Sequence, residues 1–410
     1  MTRHHLRTVL LPALALLASG SLAAACLGSG TTVSAVHPGP PASPAGSTAS
    51  PGAPATTGGV KAPLTGLIDM GNQYAYQHGQ PFPTTDPSSL DAYAGAFSGI
   101  VVNESWSQLE PSPGVEDWAP LDQSLSAVQS WNDQHPSTPL GVKLRIFAGY
   151  SAPSWVVSAS GPTVTIVNRH NTKNVGRWWT TPFRQAWDSF QHALAARYDT
   201  NPLVREVSVS SCSSSTGEPF VVSGAKLSRQ ALAAAGWTTQ LQESCLDGAL
   251  ADYSGWNHTP ITFAFNSLST PSGPSATFTD QVMRACAGSE AAGGPDCIIG
   301  NNDLSATAPS GTWSSQTYAG IAALTATSDR PGVYFQTVGA PVDCSAMAVA
   351  TTYHAGSVEL WPPAPGVTGF GTIPVATLSA WNTALRAGTA ITCLAGWRST
   401  GRQRGSGGAA

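Results

Sequence analysis

Gly99-Ile100-Val101-Val102-Asn103, the run Leu121–Gln134, and Val142-Lys143-Leu144-Arg145-Ile146-Phe147-Ala148 form the stretch on which the fold of this 410-residue chain turns. The two short pieces are apolar nearly throughout and are bounded by Gly, Ser or Asn, the pattern of strands covered on both faces. The longer run between them has helical period. Worked outward, the same alternation recurs along the chain. Further strand candidates are Gly66–Met70, Glu206–Ser210, Ile261–Asn266, Cys297–Asn301, Val333–Thr337 and Ser357–Trp361. Helical runs fall between them: Ser88–Phe97, Phe183–Tyr198, Thr238–Tyr253, Phe278–Ala287, Ser315–Thr327, Val342–Tyr353 and Val375–Arg386. In Phe183–Tyr198 the residues Phe183, Trp187, Phe190 and Leu194 make one apolar stripe, with Thr181 as a candidate cap and Pro182 suited to the first turn. Eight strands, each followed by a helix, in about 335 residues predict an α/β chain folded as a single (β/α)8 barrel over residues 64–398. An open doubly wound sheet is the alternative, but it would more often carry a Gly-rich phosphate turn after its first strand, and none is present.

The flanks read differently. Arg3 and Arg7 precede the apolar run Val9–Leu17, and Leu22-Ala23-Ala24-Ala25-Cys26 follows; residues 1–25 are predicted to be a secretory signal. Its end resembles a bacterial lipobox, with Ala23 where Leu is usual, which implies a lipid on Cys26 and an extracellular or cell-surface location. Residues 26–63 are Ser, Pro, Gly, Ala and Thr with almost no charge and are predicted to be a flexible tether; residues 399–410 are read as a disordered tail. Setting Cys26 aside leaves six cysteines, expected to form three disulfides in an exported chain. Cys286 with Cys297 is the expected local bridge; the pairing of Cys212, Cys245, Cys344 and Cys393 stays open.

Composition narrows the function. Charged residues make up 10% of the chain and the net charge is -4, against about 25% charged in an average domain. With no Lys/Arg run to neutralise phosphates, nucleic acid is not an expected partner. No later apolar run reaches about 18 residues, so the membrane is expected only through a lipid on Cys26. A surface of Ser, Thr, Gly, Asn and Gln suits neutral, hydroxyl-rich ligands. Neither a G-x-S-x-G elbow nor an H-E-x-x-H helix occurs, and no metal, cofactor or second copy of the chain is expected.

A barrel of this kind gathers its reacting groups at the C-terminal strand ends. There the chain places Asn103 and Glu104, Arg145 and Trp155, Gly217-Glu218-Pro219, Asn266, Asn301-Asn302-Asp303, Gln336, Glu359 and Trp361. Carboxylates are scarce in the chain, yet several lie on this one rim. They stand among amides that can bond hydroxyls and indoles that can stack on sugar faces. Trp106-Ser-Gln-Leu-Glu110-Pro111-Ser-Pro-Gly114, Leu144-Arg145-Ile146-Phe147-Ala148-Gly149 with Ala152-Pro153-Ser154-Trp155, and Gly217-Glu218-Pro219 resemble glycoside hydrolases of clan A. The resemblance implies hydrolysis of an oligo- or polysaccharide, with Glu218 as general acid/base. Two positions depart from it: Gly217 stands where Asn is usual, and Gln336 stands where the nucleophile is expected.

Glu359 is therefore expected to be the second carboxylate, set across the barrel from Glu218 with a gap that could be wide. Asn103, Glu104, Arg145, Trp155, Asn266, Gln336 and Trp361 are expected to contact substrate. Each acid has a plainer reading. Glu218 could cap a helix, Glu359 could be a buried partner of Arg145, and Glu104 could replace Glu359; Glu110 is read as structural and Asp303 as a helix cap. A carbohydrate-binding barrel without catalysis is the rival function, with Gln336 as its support.

Overall fold

The computed structural model describes residues 59–71, 81–167, 172–221, 226–307, 312–327, 331–338, 342–361, 370 and 373–393. Eight parallel strands close a barrel: β1 (Gly66–Asp69), β2 (Gly99–Ser105), β3 (Gly141–Phe147), β4 (Val204–Ser208), β5 (Ile261–Ala264), β6 (Cys297–Leu304), β7 (Val333–Thr337) and β8 (Ser357–Leu360). Each strand pairs with its neighbours in chain order, and β8 returns to β1 through Gly66–Asp69 against Ser357–Leu360. The predicted (β/α)8 barrel is thus present, every predicted strand within two or three residues of its observed limits. Most of those strands are legible because both faces are covered and the run is apolar, while in β3 Lys143 and Arg145 alternate with Val142, Leu144 and Ile146.

The outer layer holds α1 (Ala119–Gln134), α2 (Thr181–Tyr198), α3 (Thr239–Gly248), α4 (Ala276–Ala287), α5 (Thr312–Thr325), α6 (Cys344–Thr352) and α7 (Val375–Ala387). The α2 stripe Phe183, Trp187, Phe190 and Leu194 is buried in the main core. Thr180, not Thr181, precedes the helix, and its hydroxyl turns back to the Arg177 carbonyl. After β1 the expected helix is a 3-10 turn, Pro87–Tyr93, capped by Asp86. Thr238–Tyr253 divides into α3 and a short 3-10 turn. A helix at Lys226–Ala234 and two small hairpins, at Val164–Val167 with Thr172–Val175 and at Ser269–Thr270 with Gly273–Pro274, were not anticipated. No helix among the described residues is long and apolar enough to cross a membrane.

Three disulfides pin the layers: Cys286–Cys297, as the spacing predicts, with Cys212–Cys245 and Cys344–Cys393. At the N-terminal mouth the last residues of the expected tether prove to be part of the barrel. Lys61 Nζ donates to the carbonyls of Asn201 (2.7 Å) and Val204 (2.9 Å) and to Thr259 Oγ1 (2.8 Å). Arg205 donates to the Ala62 carbonyl, and the Leu64 amide donates to Glu206 Oε1 at 2.8 Å. Leu64, Ile68 and Val101 fill the floor above this strap.

Candidate active site

Alternation along a strand sends successive side chains to opposite faces. On β3 this turns Lys143, Arg145 and Phe147 into the lumen and Val142, Leu144 and Ile146 toward the helices. The register carries the lumen face around the barrel, pairing Asn103 with Arg145, Lys143 with Glu206, and Gln336 with Glu359. The interior is therefore not an apolar plug. It holds a column of buried charge.

Glu218 reaches this column from the loop after β4, and that loop is tied from many sides. The Ser210 amide donates to Tyr253 Oη at 2.9 Å and the Ser210 hydroxyl to the Gly217 carbonyl at 2.7 Å. Ser211 accepts from the Trp187 indole and donates to Asp252. The Thr216 hydroxyl donates to the Glu218 carbonyl, and the Tyr150 amide to that of Ser214. Cys212 holds a left-handed backbone, φ 62°, where it is bridged to Cys245 on α3. Such a conformation persists only when its surroundings over-determine it.

The chemistry centres on Arg145, whose side chain is 1% exposed. Its Nη2 lies 2.6 Å from Glu359 Oε2 and 3.0 Å from Glu218 Oε1. Glu359 Oε1 accepts from Lys143 Nζ at 2.6 Å, and Glu218 Oε2 accepts from Asn302 Nδ2, also at 2.6 Å. One guanidinium nitrogen thus spans the two acids, and the wide gap expected from strands 4 and 8 is absent: the facing oxygens are no farther apart than those two contacts together allow. The reason is that Glu218 sits on an inward loop, not on the strand itself.

The two environments push the acids apart. Burial raises the Glu218 carboxyl above its ordinary range, against the pull of Arg145. At Glu359 burial acts the same way but is outweighed by Arg145 and Lys143, so that carboxyl is held below its ordinary range. Glu359 is also deeper than the rim position expected of it, at 1% exposure. The plainer reading of it as a buried partner of Arg145 is thus also realised.

Other predicted residues divide into those that join the column and those that do not. Asn103 faces the lumen opposite Arg145 and donates to the Met70 carbonyl at 3.0 Å. Gln336 stands level with Glu359, buried, its Oε1 without a hydrogen-bond partner. Asn266 accepts from the Asn302 amide at 2.9 Å, and so holds the residue that holds Glu218. Trp361 follows β8, half-buried, its amide donating to Thr337.

Glu104 does not belong to the lumen. It shares the parity of Ile100 and Val102, pairs with Ile146, and is sealed beneath the helices with neither carboxylate oxygen hydrogen-bonded. Burial raises its carboxyl to about 8. Trp155, half-buried, packs edge-on to Trp106 and donates to the Glu110 carbonyl at 3.2 Å. Glu110 is structural as expected, accepting from the Trp106 indole and the Gly114 amide.

Lys143, Glu206, Asn302 and Tyr334 were missing from the predicted site. Lys143 was findable, since it lies two residues before Arg145 on one strand and must share its face. Tyr334 carried the same signal, two residues before Gln336 on one strand; Asn302 stood on the expected rim without a role, and Glu206 carried no such signal.

No family model matches the chain, and no curated protein matches it. Among solved structures it is similar to endo-glycoceramidase II from Rhodococcus sp. bound to ganglioside GM3. The identity is 15%, the TM-score 0.47, and the match covers 77% of this chain and 79% of that one. It is also similar to GH5_18 from Bifidobacterium longum subsp. longum in complex with a disaccharide, at 13% identity and a TM-score of 0.47, covering 80% of each chain.

Proposed function

We propose that the chain is an exported glycoside hydrolase in which Glu218 protonates the leaving oxygen and Glu359 is the ionised partner. The observation that carries this reading is a pair of carboxylates bridged by one arginine nitrogen and shifted in opposite directions, the division of labour that acid and base need. Their closeness fits the retaining class, at about 5–5.5 Å, rather than the wider inverting class.

A glycosidic bond seated between the acids must displace Arg145 from one of them. The Glu218 contact is the longer, and Asn302 still holds that acid when it breaks. Freed from the cation, Glu218 keeps its proton to higher pH, so binding itself readies the acid. Three disulfides in the barrel suit an oxidising compartment and support export; Cys26 and the leader lie outside the described residues.

The test is a panel of aryl glycosides and polysaccharides with Glu218→Gln and Glu359→Gln. Loss of the general acid should cost about 10²–10⁴ in turnover, most for poor leaving groups; loss of Glu359 should cost at least as much for every leaving group. Full activity in either folded variant removes that residue from the mechanism. A second reading, a carbohydrate-binding barrel without hydrolysis, has its support in Gln336 and in the guanidinium standing between the acids. Oligosaccharide binding without turnover would select it.

A further inference from the structure

Lys143 lies beside Glu359, and the proposed reaction gives it no role of its own. Its side chain is 1% exposed, and Nζ lies 2.6 Å from Glu359 Oε1, 3.9 Å from Glu206 Oε2 and 3.6 Å from the centre of the Tyr334 ring. Three neighbours on three different strands thus enclose one cation. Glu206 is itself aimed by the floor strap, because the Leu64 amide takes its other oxygen.

The column runs without interruption from Leu64 through Glu206, Lys143, Glu359 and Arg145 to Glu218 and Asn302. Burying a charge this deep is costly unless it is paired, and a lysine has no role in packing that a methionine would not fill more cheaply. We propose that Lys143 is a positioning residue for Glu359: it takes Oε1 from below, holds the carboxylate ionised, and leaves Oε2 to face Arg145 and the acid. The proposal rests on the hydrolase reading for its consequence in turnover, though not for the contact itself.

The charged and titratable groups that face this pair are Glu206 from β4, Tyr334 from β7, Arg145 from β3 and Glu218 from the loop after β4. Arg145 alone remains to hold Glu359 when Lys143 is removed. The carboxylate should then titrate higher by about one to three pH units, the effect of losing an opposite charge in contact.

The experiment follows the Glu359 carboxyl by carbon NMR in protein labelled at glutamate, assigned through Glu359→Gln, in wild type, Lys143→Met and Lys143→Arg. The Glu359 midpoint should rise in Lys143→Met and stay near wild type in Lys143→Arg. The acid limb of kcat/KM should move with it, while KM at the optimum and the alkaline limb stay in place. A folded Lys143→Met whose Glu359 titrates as in wild type overturns the proposal. If Lys143→Met does not fold, the double variant Lys143→Met/Glu206→Gln removes both charges together, and the same midpoint decides. Wild type without turnover on any substrate counts against the hydrolase reading alone, since the NMR midpoint still decides the role of Lys143.

Discussion

Gly217 is where a single missing side chain shapes the site. A Cβ there would lie 2.6 Å from Arg145 Cγ, 2.7 Å from Phe147 Cε2 and 2.8 Å from Arg145 Cδ, closer than packed atoms come. The arginine stem therefore passes through the room that a side chain before Glu218 would take, and an amide at 217 and the observed path of Arg145 exclude one another. Gly217→Ala is expected to overpack this point, costing about 1–3 kcal/mol of stability, and to shift the guanidinium off Glu359, lowering kcat/KM at least about tenfold. Thermal melts with kinetics on the same preparation check both; unchanged kinetics in a stable variant would mean that the arginine path is not needed. The sequence shows that Gly217 departs from the resembling pattern but not that the Arg145 stem fills the room beside it, because that stem comes from another strand. Asn103 and Glu104 are the opposite case. Adjacent strand residues cannot both face the lumen, so strand alternation alone admits only one of the two to the site.

At the level of elements, the strands were readable and their closure followed, while the pieces that complete the floor were not. The stretch up to residue 63 reads as a tether because Pro, Gly and Ala give no apolar period. One lysine within it nonetheless finds three acceptors beneath the barrel. A sequence pattern reports burial of apolar faces, and a strap held by a single polar anchor leaves no such pattern. Lys61→Met keeps the aliphatic stem and removes the donor shared by the carbonyls of Asn201 and Val204 and by Thr259. Hydrogen bonds to a charged group are worth about 1.5–3 kcal/mol, so urea unfolding of the variant should show a midpoint lowered to that extent with an unchanged slope. A midpoint equal to wild type would show that the strap does not seal the floor. Because Leu64 in the same strap aims Glu206, a loosened strap should also move the Glu359 titration, whereas a surface lysine substitution should not.

Among the described residues most of the buried acids whose titration is shifted lean one way. Burial raises Asp69 to about 7, Glu104 to about 8, Glu206 to about 7 against the pull of Lys143, and Asp252 to about 7. In the unfolded chain all of them titrate near 4. Between about pH 4 and 8 the folded state therefore holds protons that the unfolded state has released, and stability must fall as pH rises through that window. Glu359 works in the other sense: its carboxyl is lowered, so its contribution is complete above the unfolded value and is lost as pH falls through the lower folded value. The balance places maximum stability on the acid side, near pH 4–5, with a decline to about pH 8 and little further change from these groups. Glu104 is the cleanest probe, since neither of its oxygens is hydrogen-bonded. Glu104→Gln removes one titrating proton at nearly constant shape, and its advantage over wild type should widen from about pH 5 to pH 8, reaching about 2–4 kcal/mol. Chemical unfolding at half-unit pH steps measures the widening directly. A gap that stays constant with pH would mean that Glu104 is ionised in the fold, and the acid-side maximum argued from these carboxyls would lose its largest contributor.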